Sequence, residues 1–127
     1  MKGEGWGLMR NERRMVEKQA TFGLVQVGVI LLALATAIIH IVLALPTNLI
    51  MFYLNGAGYI GLTAALYLPQ LAAYRRRLRW ALIGYTAITI VGWAVVGERS
   101  LIAYLDKLIE VALIGLIAIE VRQEGER

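Results

Sequence analysis

Asp106, Lys107 and Glu110 lie inside a predominantly apolar stretch, residues 101–121. This stretch is long enough to cross a bilayer, because a helix of about 20 apolar residues spans the hydrocarbon core. An ionisable side chain at that depth is costly unless it faces protein, water or a partner, so it marks a candidate functional site. Asp106 and Glu110 are four residues apart and share a helical face, whereas Lys107 is turned from Asp106 by about 100°.

His40 and Asn55 extend this set to two further apolar stretches. At a rise of about 1.5 Å per residue, His40 and Asp106 lie about 7–8 Å inside the same boundary of the apolar layer. By the same rise, Asn55 and Glu110 lie about 12–14 Å inside it. The four residues therefore form a predicted intramembrane polar layer, contributed by three helices, that could converge in a helical bundle.

The alternative to convergence is that each polar residue is satisfied separately. Asp106 would then form an ion pair with Lys107 or Arg99 near the membrane surface. Glu110 would be neutral and hydrogen-bonded, and His40 would bond to a carbonyl. The sequence leaves both arrangements open.

Two carboxylates and an imidazole suit the passage of protons or cations through a membrane. The same groups are plausible ligands for a divalent metal, and His40 from two copies could hold a b-type haem. However, the sequence contains no H-x-x-x-H or E-x-x-H spacing, no glycine-rich phosphate loop and no cysteine. The lack of cysteine excludes disulfides, thiolate metal sites and a cysteine nucleophile. We therefore expect a non-enzymatic protein without a resident cofactor.

Four apolar stretches would position these residues, at about 21–45, 47–68, 79–97 and 101–121. The chain of 127 residues is 59% hydrophobic, more than a soluble domain, which is roughly half apolar. Very short turns follow the first and third stretches. The predicted fold is an all-α integral membrane protein, a four-helix transmembrane bundle of two tight helical hairpins in one domain, 21–121. A signal peptide cleaved near Ala33–Ala35 is the alternative for the first stretch, but the stretch is too long and three more follow it.

Basic residues are sorted to one side of this predicted bundle. The N-terminal segment carries five, the middle loop four and the C-terminal tail two: Lys2, Arg10, Arg13, Arg14 and Lys18; Arg75, Arg76, Arg77 and Arg79; Arg122 and Arg127. The opposite side carries only Arg99. By the positive-inside rule, both termini lie in the cytoplasm of a multi-pass plasma-membrane protein.

The basic segments also have predicted lipid contacts. Residues 1–20 form a basic amphipathic segment, in which about 8–19 form either an interfacial helix or a solvated tail. The middle-loop cluster Arg75, Arg76, Arg77 and Arg79 is expected to meet anionic lipid headgroups, and we expect no nucleic-acid partner. Residues 122–127 form a cytoplasmic tail.

Small residues mark predicted helix contacts. Ala33 and Ala37 share a face of the first helix with His40, and Ala57, Gly61 and Ala65 form a small-residue row on the second. The glycines of the second helix serve either packing or the approach of a ligand.

The turns carry capping residues and hint at a repeat. Pro46 is expected to end the first helix, Thr47 or Asn48 to cap the second, and Ser100 to cap the fourth. The tripeptide 53–55, Tyr-Leu-Asn, returns at 104–106 as Tyr-Leu-Asp, which hints that the second hairpin is a parallel repeat of the first.

Three segments, 40–43, 55–61 and 104–110, resemble small four-helix membrane proteins of unknown function found in archaea. The resemblance covers roughly 21–121 and implies an Asp-Lys pair opening the last helix, here Asp106 and Lys107. Glu110 departs from the neutral residue, such as Gln, that the resemblance leads us to expect. The resemblance implies the four-helix topology and no activity.

Three functions remain open. The first is an accessory or scaffold subunit that packs against itself or a larger membrane complex, which the small size and the lack of soluble domains favour. The second is a homo-oligomeric proton or cation channel or transporter using Asp106, Glu110 and His40. The third is a membrane haem or metal protein.

Overall fold

The computed structural model describes the backbone of residues 2–125 and the side chains of residues 6–17 and 23–125. This part of the chain contains four α-helices, α1 (Lys2–Thr47), α2 (Ile50–Tyr67), α3 (Arg75–Val96) and α4 (Leu101–Gly125), with a 3-10 segment, Pro69–Tyr74, between α2 and α3. Within the described residues there is no strand, and the prediction of an all-helical protein is confirmed.

The helices pack in the cyclic order α1, α2, α3, α4. α1 packs against α2 and α4, and α3 packs against the same two helices. Consequently α2 and α4 are diagonal partners, and side chains that join them must cross the centre of the bundle. We call the end with the turns 48–49 and 97–100 the turn end, and the end with the 3-10 segment and the C-terminus of α4 the terminal end.

The first turn is built by Asn48. α1 continues through Pro46 to Thr47, and Asn48 adopts φ 52°, the left-handed conformation that asparagine tolerates at helix C-termini. Its N–H donates to the Ala44 carbonyl at 2.7 Å. The Thr47 hydroxyl donates back to the Leu43 carbonyl at 3.2 Å. The prediction that Thr47 or Asn48 caps α2 was therefore wrong, since Leu49 stands at that position without a side-chain cap.

The second turn agrees with its prediction. The Ala103 N–H donates to Ser100 Oγ at 3.2 Å, so Ser100 caps α4. The segment between α2 and α3 differs from the expected loop, because the arginine cluster opens α3 and the residues before it form the 3-10 segment.

α1 is longer than expected, because it runs without a break from Lys2 to Thr47. Residues 6–17 form a helical arm whose large apolar side chains are exposed, with Trp6 at 66% and Val16 at 64%. The predicted segment 1–20 lies partly outside the described side chains, and so do residues 126–127 of the predicted tail. The division at residue 20 stays a prediction.

Two helical segments among the described residues, Gly23–Thr47 and Pro69–Val96, are long and apolar enough to cross a membrane. Only 33% and 17% of their most apolar windows are buried within the bundle. α2 and α4 fall short because they carry the polar groups, such as Asn55, Asp106 and Glu110. The four-span topology and the sides of the termini stay predictions.

The small residues of α2 pack differently from the predicted row. A Cβ on Gly56 would lie 3.0 Å from the Ala37 carbonyl oxygen, so glycine lets α2 approach α1 closely here. Ala37 and Ala33 on α1 are buried, as a packing role requires. In contrast, Ala57 and Gly61 are exposed and Ala65 is half-buried, so that row lies mainly on the outside of the bundle.

The buried interior mixes apolar and polar side chains. An apolar core lies mid-bundle: Val29, Ala33, Ala37, Tyr59, Leu66, Leu82, Leu113 and Ile117. Polar or charged residues are buried on every helix, among them His40, Thr63, Arg79 and Glu110. They are the basis of the candidate site.

Candidate functional site

His40 of α1 and two carboxylates of α4 meet in the turn-end half of the bundle. Ligand-type atoms of His40, Asp106 and Glu110 lie within 4.8 Å of one another, and all three residues are buried. α1 places His40 there because Ala33, Ala37 and Ala44, at helical spacing, lie on the same buried face and let the helices approach. Three of the four residues of the predicted polar layer, His40, Asp106 and Glu110, therefore come together.

The bond of His40 to its own helix determines where its ring hydrogen lies. Nδ1 lies 2.8 Å from the Thr36 carbonyl oxygen, which can only accept, so Nδ1 must carry the hydrogen. In a neutral ring the other nitrogen, Nε2, is then an acceptor. Nε2 faces Asp106 Oδ2 at 3.7 Å. Two acceptors facing each other become a favourable pair when a proton is bound between them.

Asp106 is held by two further donors. The Thr36 hydroxyl donates to Asp106 Oδ1 at 2.6 Å, and Lys107 Nζ lies 3.0 Å from Oδ2. Thr36 thus serves both His40, through its carbonyl, and Asp106, through its hydroxyl. Thr36 was not among the predicted site residues, although it lies one helical turn from His40 on the same face.

Lys107 joins the two carboxylates. Its Nζ also donates to Glu110, and the residue is buried. Lys107 is turned by about 100° from Asp106 around the helix, but its long, flexible side chain brings Nζ back over both acids. The ion pair between Asp106 and Lys107, which was the alternative to convergence, is therefore present. It forms within the cluster that also contains His40 and Glu110.

The cluster has one negative charge in excess when His40 is neutral. Asp106 and Glu110 each bring one negative charge and Lys107 brings one positive charge. A net charge buried in a low-dielectric interior is costly, so binding of a single proton restores neutrality. The geometry at His40 Nε2 offers a place for that proton.

Tyr59 connects the cluster to the diagonal helix. Its hydroxyl donates to Glu110 Oε2, and its ring lies edge-on to Tyr85 at 5.0 Å. Tyr59 and Glu110 are 51 positions apart, the same offset that relates 53–55 to 104–106. If the two hairpins are repeats related by an axis along the bundle, equivalent positions of α2 and α4 meet at that axis. Tyr59 and Glu110 meet in this way. Tyr59 was not predicted, because nothing in the sequence shows that α2 and α4 are diagonal.

The remaining predicted residues at this end lie outside the cluster. Asn55 is half-buried between α2 and α3, where its side chain accepts from Thr89 at 3.4 Å and its backbone carbonyl from Tyr85 at 2.8 Å. Arg99 donates to the Ala94 carbonyl at 2.6 Å and lies over the Trp93 ring at 4.3 Å. Neither residue contributes to binding Asp106.

His40, Asp106 and Glu110 offer a donor set that a divalent metal could use. The ammonium of Lys107 takes the position that the metal would need, since it contacts both carboxylates. A metal could enter only by displacing Lys107, so the donor set fits a proton better than a metal ion.

Lys107 also lines a shallow surface groove beside the cluster. The other lining residues are aromatic or apolar: Trp93, Tyr104, Leu108 and Val111. The groove brings the surface of the bundle within reach of a side chain that bonds both acids.

A second buried ionic cluster lies at the terminal end. Arg79 is only 1% exposed, and its Nε donates to Glu120 Oε2 at 2.8 Å. Its guanidinium also bonds Glu124, and the Tyr67 hydroxyl donates to Glu120 Oε1 at 2.5 Å. We name Tyr67, Arg79, Glu120 and Glu124 the terminal cluster.

Arg79 therefore differs from the other arginines predicted to meet lipid headgroups. Arg76 and Arg77 are exposed, and Arg75 is half-buried with its Nε donating to the Leu66 carbonyl at 2.9 Å. The headgroup role predicted for Arg79 does not fit its burial. Its helix begins at Arg75, so Arg79 lies one turn inside α3, on the face that meets α4.

No protein-family model, curated protein or solved structure matches the chain, so the comparisons show no family.

Proposed function

We propose that the chain is a non-enzymatic, four-span protein of the plasma membrane, with both termini in the cytoplasm. Large apolar side chains cover its outside: Leu24, Val27, Leu31 and Ile38 on α1, Ile50, Met51 and Leu54 on α2, Ile88, Val91 and Val95 on α3, and Leu101, Leu105 and Leu108 on α4. Soluble monomers rarely expose apolar patches beyond a few hundred Å². Apolar residues outside and charged residues inside favour a bundle surrounded by lipid.

Within this protein, the cluster around His40 serves to bind and pass on a proton. One observation carries this proposal: His40 Nε2 and Asp106 face each other as two acceptors in a buried cluster whose formal charge is negative. Its other members are Lys107 and Glu110. Lys107 also lines the groove on the surface of the bundle, beside the cluster. Buried acids and histidines of this kind are the usual parts of proton relays in membranes.

Proton flux into liposomes tests the proposal. Purified protein is reconstituted with a pH-sensitive dye inside, and a potassium gradient with valinomycin sets the membrane potential. We expect Glu110→Gln to lower the flux by about 10²-fold or more, the effect of removing an acid–base group. The matched control is Glu98→Gln, the same chemical change at an exposed position of the second turn. Flux absent from the unsubstituted protein, or equal in Glu110→Gln, would contradict the proposal.

The second candidate is an accessory subunit, and the arm 6–17 favours it. The arm extends α1 and exposes Trp6, Leu8, Met9, Met15 and Val16, as expected of a segment that binds a partner or the membrane surface. The exposed Ala57 and Gly61 would allow close self-association within the bilayer. Native mass spectrometry after gentle extraction tests the accessory role through its partners: a larger assembly with other chains supports that role, and a small homo-oligomer without other chains favours the proton pathway.

A further inference from the structure

Three polar residues of α2 point toward the centre of the bundle in one row. Tyr59, Thr63 and Tyr67 are spaced by four residues, and Thr63 and Tyr59 are buried. Consecutive members are separated by about 6 Å along the helix axis. Tyr59 bonds Glu110 and Tyr67 bonds Glu120, so the row links the cluster around His40 to the terminal cluster. Thr63 occupies the position between them.

Thr63 has a buried hydroxyl that is left without a hydrogen bond. Its Oγ1 is shielded from solvent and has no partner among the described residues. A buried hydroxyl without a partner costs free energy, and an ordered water is the usual way such a group is satisfied. Thr63 is thus a candidate water-binding group halfway between the two clusters.

The two ends of the row reach the surface of the bundle. At the turn end, Lys107 bonds both acids of its cluster and lines the groove. At the terminal end, Glu124 bonds Arg79 while its side chain is 40% exposed. Charged and hydroxyl groups therefore lie on the central axis toward both ends of the bundle. Between them lies the apolar core, at the level of Thr63.

We infer that a short chain of ordered waters, one of them bound at Thr63, joins the two clusters, so that a proton crosses the bundle within one protomer and leaves through Glu120 and Glu124. This inference rests on the function proposed above. A proton on the Glu110 carboxyl passes to the first water of this chain, each water releases a different proton to the next, and the last releases one to Glu120. Each O–H bond that breaks is replaced by one that forms, and no group is oxidised or reduced. Arg79 from α3 and Tyr67 from α2 hold Glu120 in position, and Thr63 acts as a positioning residue.

Two substitutions of Thr63 test this route. Thr63→Val keeps the shape and removes the hydroxyl, while Thr63→Ser keeps the hydroxyl and removes a methyl group. We expect Thr63→Val to lower the proton flux in liposomes by up to about tenfold, the equivalent of one lost hydrogen bond. We expect Thr63→Ser to stay close to the unsubstituted protein. The nitrogen resonances of His40, the only histidine, are recorded in all three proteins.

The outcomes separate this inference from the proposed function. Flux lost in Thr63→Val and kept in Thr63→Ser, with unchanged His40 resonances, supports the route. Flux kept in Thr63→Val overturns the route and leaves the proposed function standing. Flux lost equally in both variants, together with altered His40 resonances, assigns Thr63 to packing and also overturns the route. An unsubstituted protein that does not conduct protons refutes the proposed function itself.

Discussion

Lys107→Met is expected to destabilise the folded protein by about 3–5 kcal/mol, the range for breaking a buried ion pair by removing one partner. Lys107 is the positive charge that contacts both Asp106 and Glu110. Without it, two buried carboxylates face each other with only hydroxyl and imidazole partners. Methionine is unbranched, apolar and only slightly shorter than lysine, so the substitution removes the charge and loses little packing. Reversible unfolding of the purified protein in mixed micelles measures the change.

A double variant shows whether charge is the cause. Lys107→Met combined with Glu110→Gln removes one positive and one negative charge, and it should recover most of the lost stability. Arg77→Met, which removes an exposed positive charge from α3, serves as the control and should change stability by less than about 0.5 kcal/mol. If Lys107→Met is as stable as this control, the ammonium does not hold the cluster together.

Arg79→Met is expected to cost a similar amount, about 3–5 kcal/mol, at the other end of the bundle. Arg79 joins α3 to α4 through Glu120, and Glu120 is fully buried. Removing the guanidinium leaves the carboxylate of Glu120 buried, with a hydrogen bond from the neutral Tyr67 hydroxyl. Glu124 loses less, because its partly exposed side chain can turn toward water.

The adjacent arginines provide the comparison. Arg76→Met changes an exposed residue of the same helix and should leave unfolding unchanged within about 0.5 kcal/mol. Arg79→Met with Glu120→Gln should be more stable than Arg79→Met alone, since the buried carboxylate is replaced by a neutral amide. Equal effects of Arg76→Met and Arg79→Met would place Arg79 among the lipid-facing arginines that the sequence predicts.

Depth along the helices was sufficient to predict part of the site. His40 and Asp106 were placed at one level by counting residues from the turns, and the structure brings them and Glu110 together. The same count placed Asn55 near Glu110, but depth says nothing about direction around the helix axis. Asn55 points between α2 and α3, and Tyr59, one turn further on, takes the central position.

Side-chain length and helix ends account for the other differences. The side chains of Asp106 and Lys107 leave the helix in directions about 100° apart, but the lysine side chain is long enough to reach back to its neighbour. Arg79 looked like one of four equivalent loop arginines because the start of α3 was predicted four residues too late. Glu124 was overlooked because the fourth helix was expected to end at 121 and continues to Gly125. Glu120 lies within the expected helix, at its last turn, and was not singled out there.

The nitrogen NMR spectrum of His40 in liposomes, recorded as a function of pH, tests the central claim most directly. With a single histidine, selective labelling gives one Nδ1 and one Nε2 resonance. Our account predicts that Nδ1 carries a hydrogen throughout, held by the Thr36 carbonyl. It also predicts that acidification shifts the Nε2 resonance to that of a protonated nitrogen, and that Asp106→Asn alters this response. An Nε2 resonance that does not change with pH would show that the cluster exchanges no proton at His40 and would contradict the account.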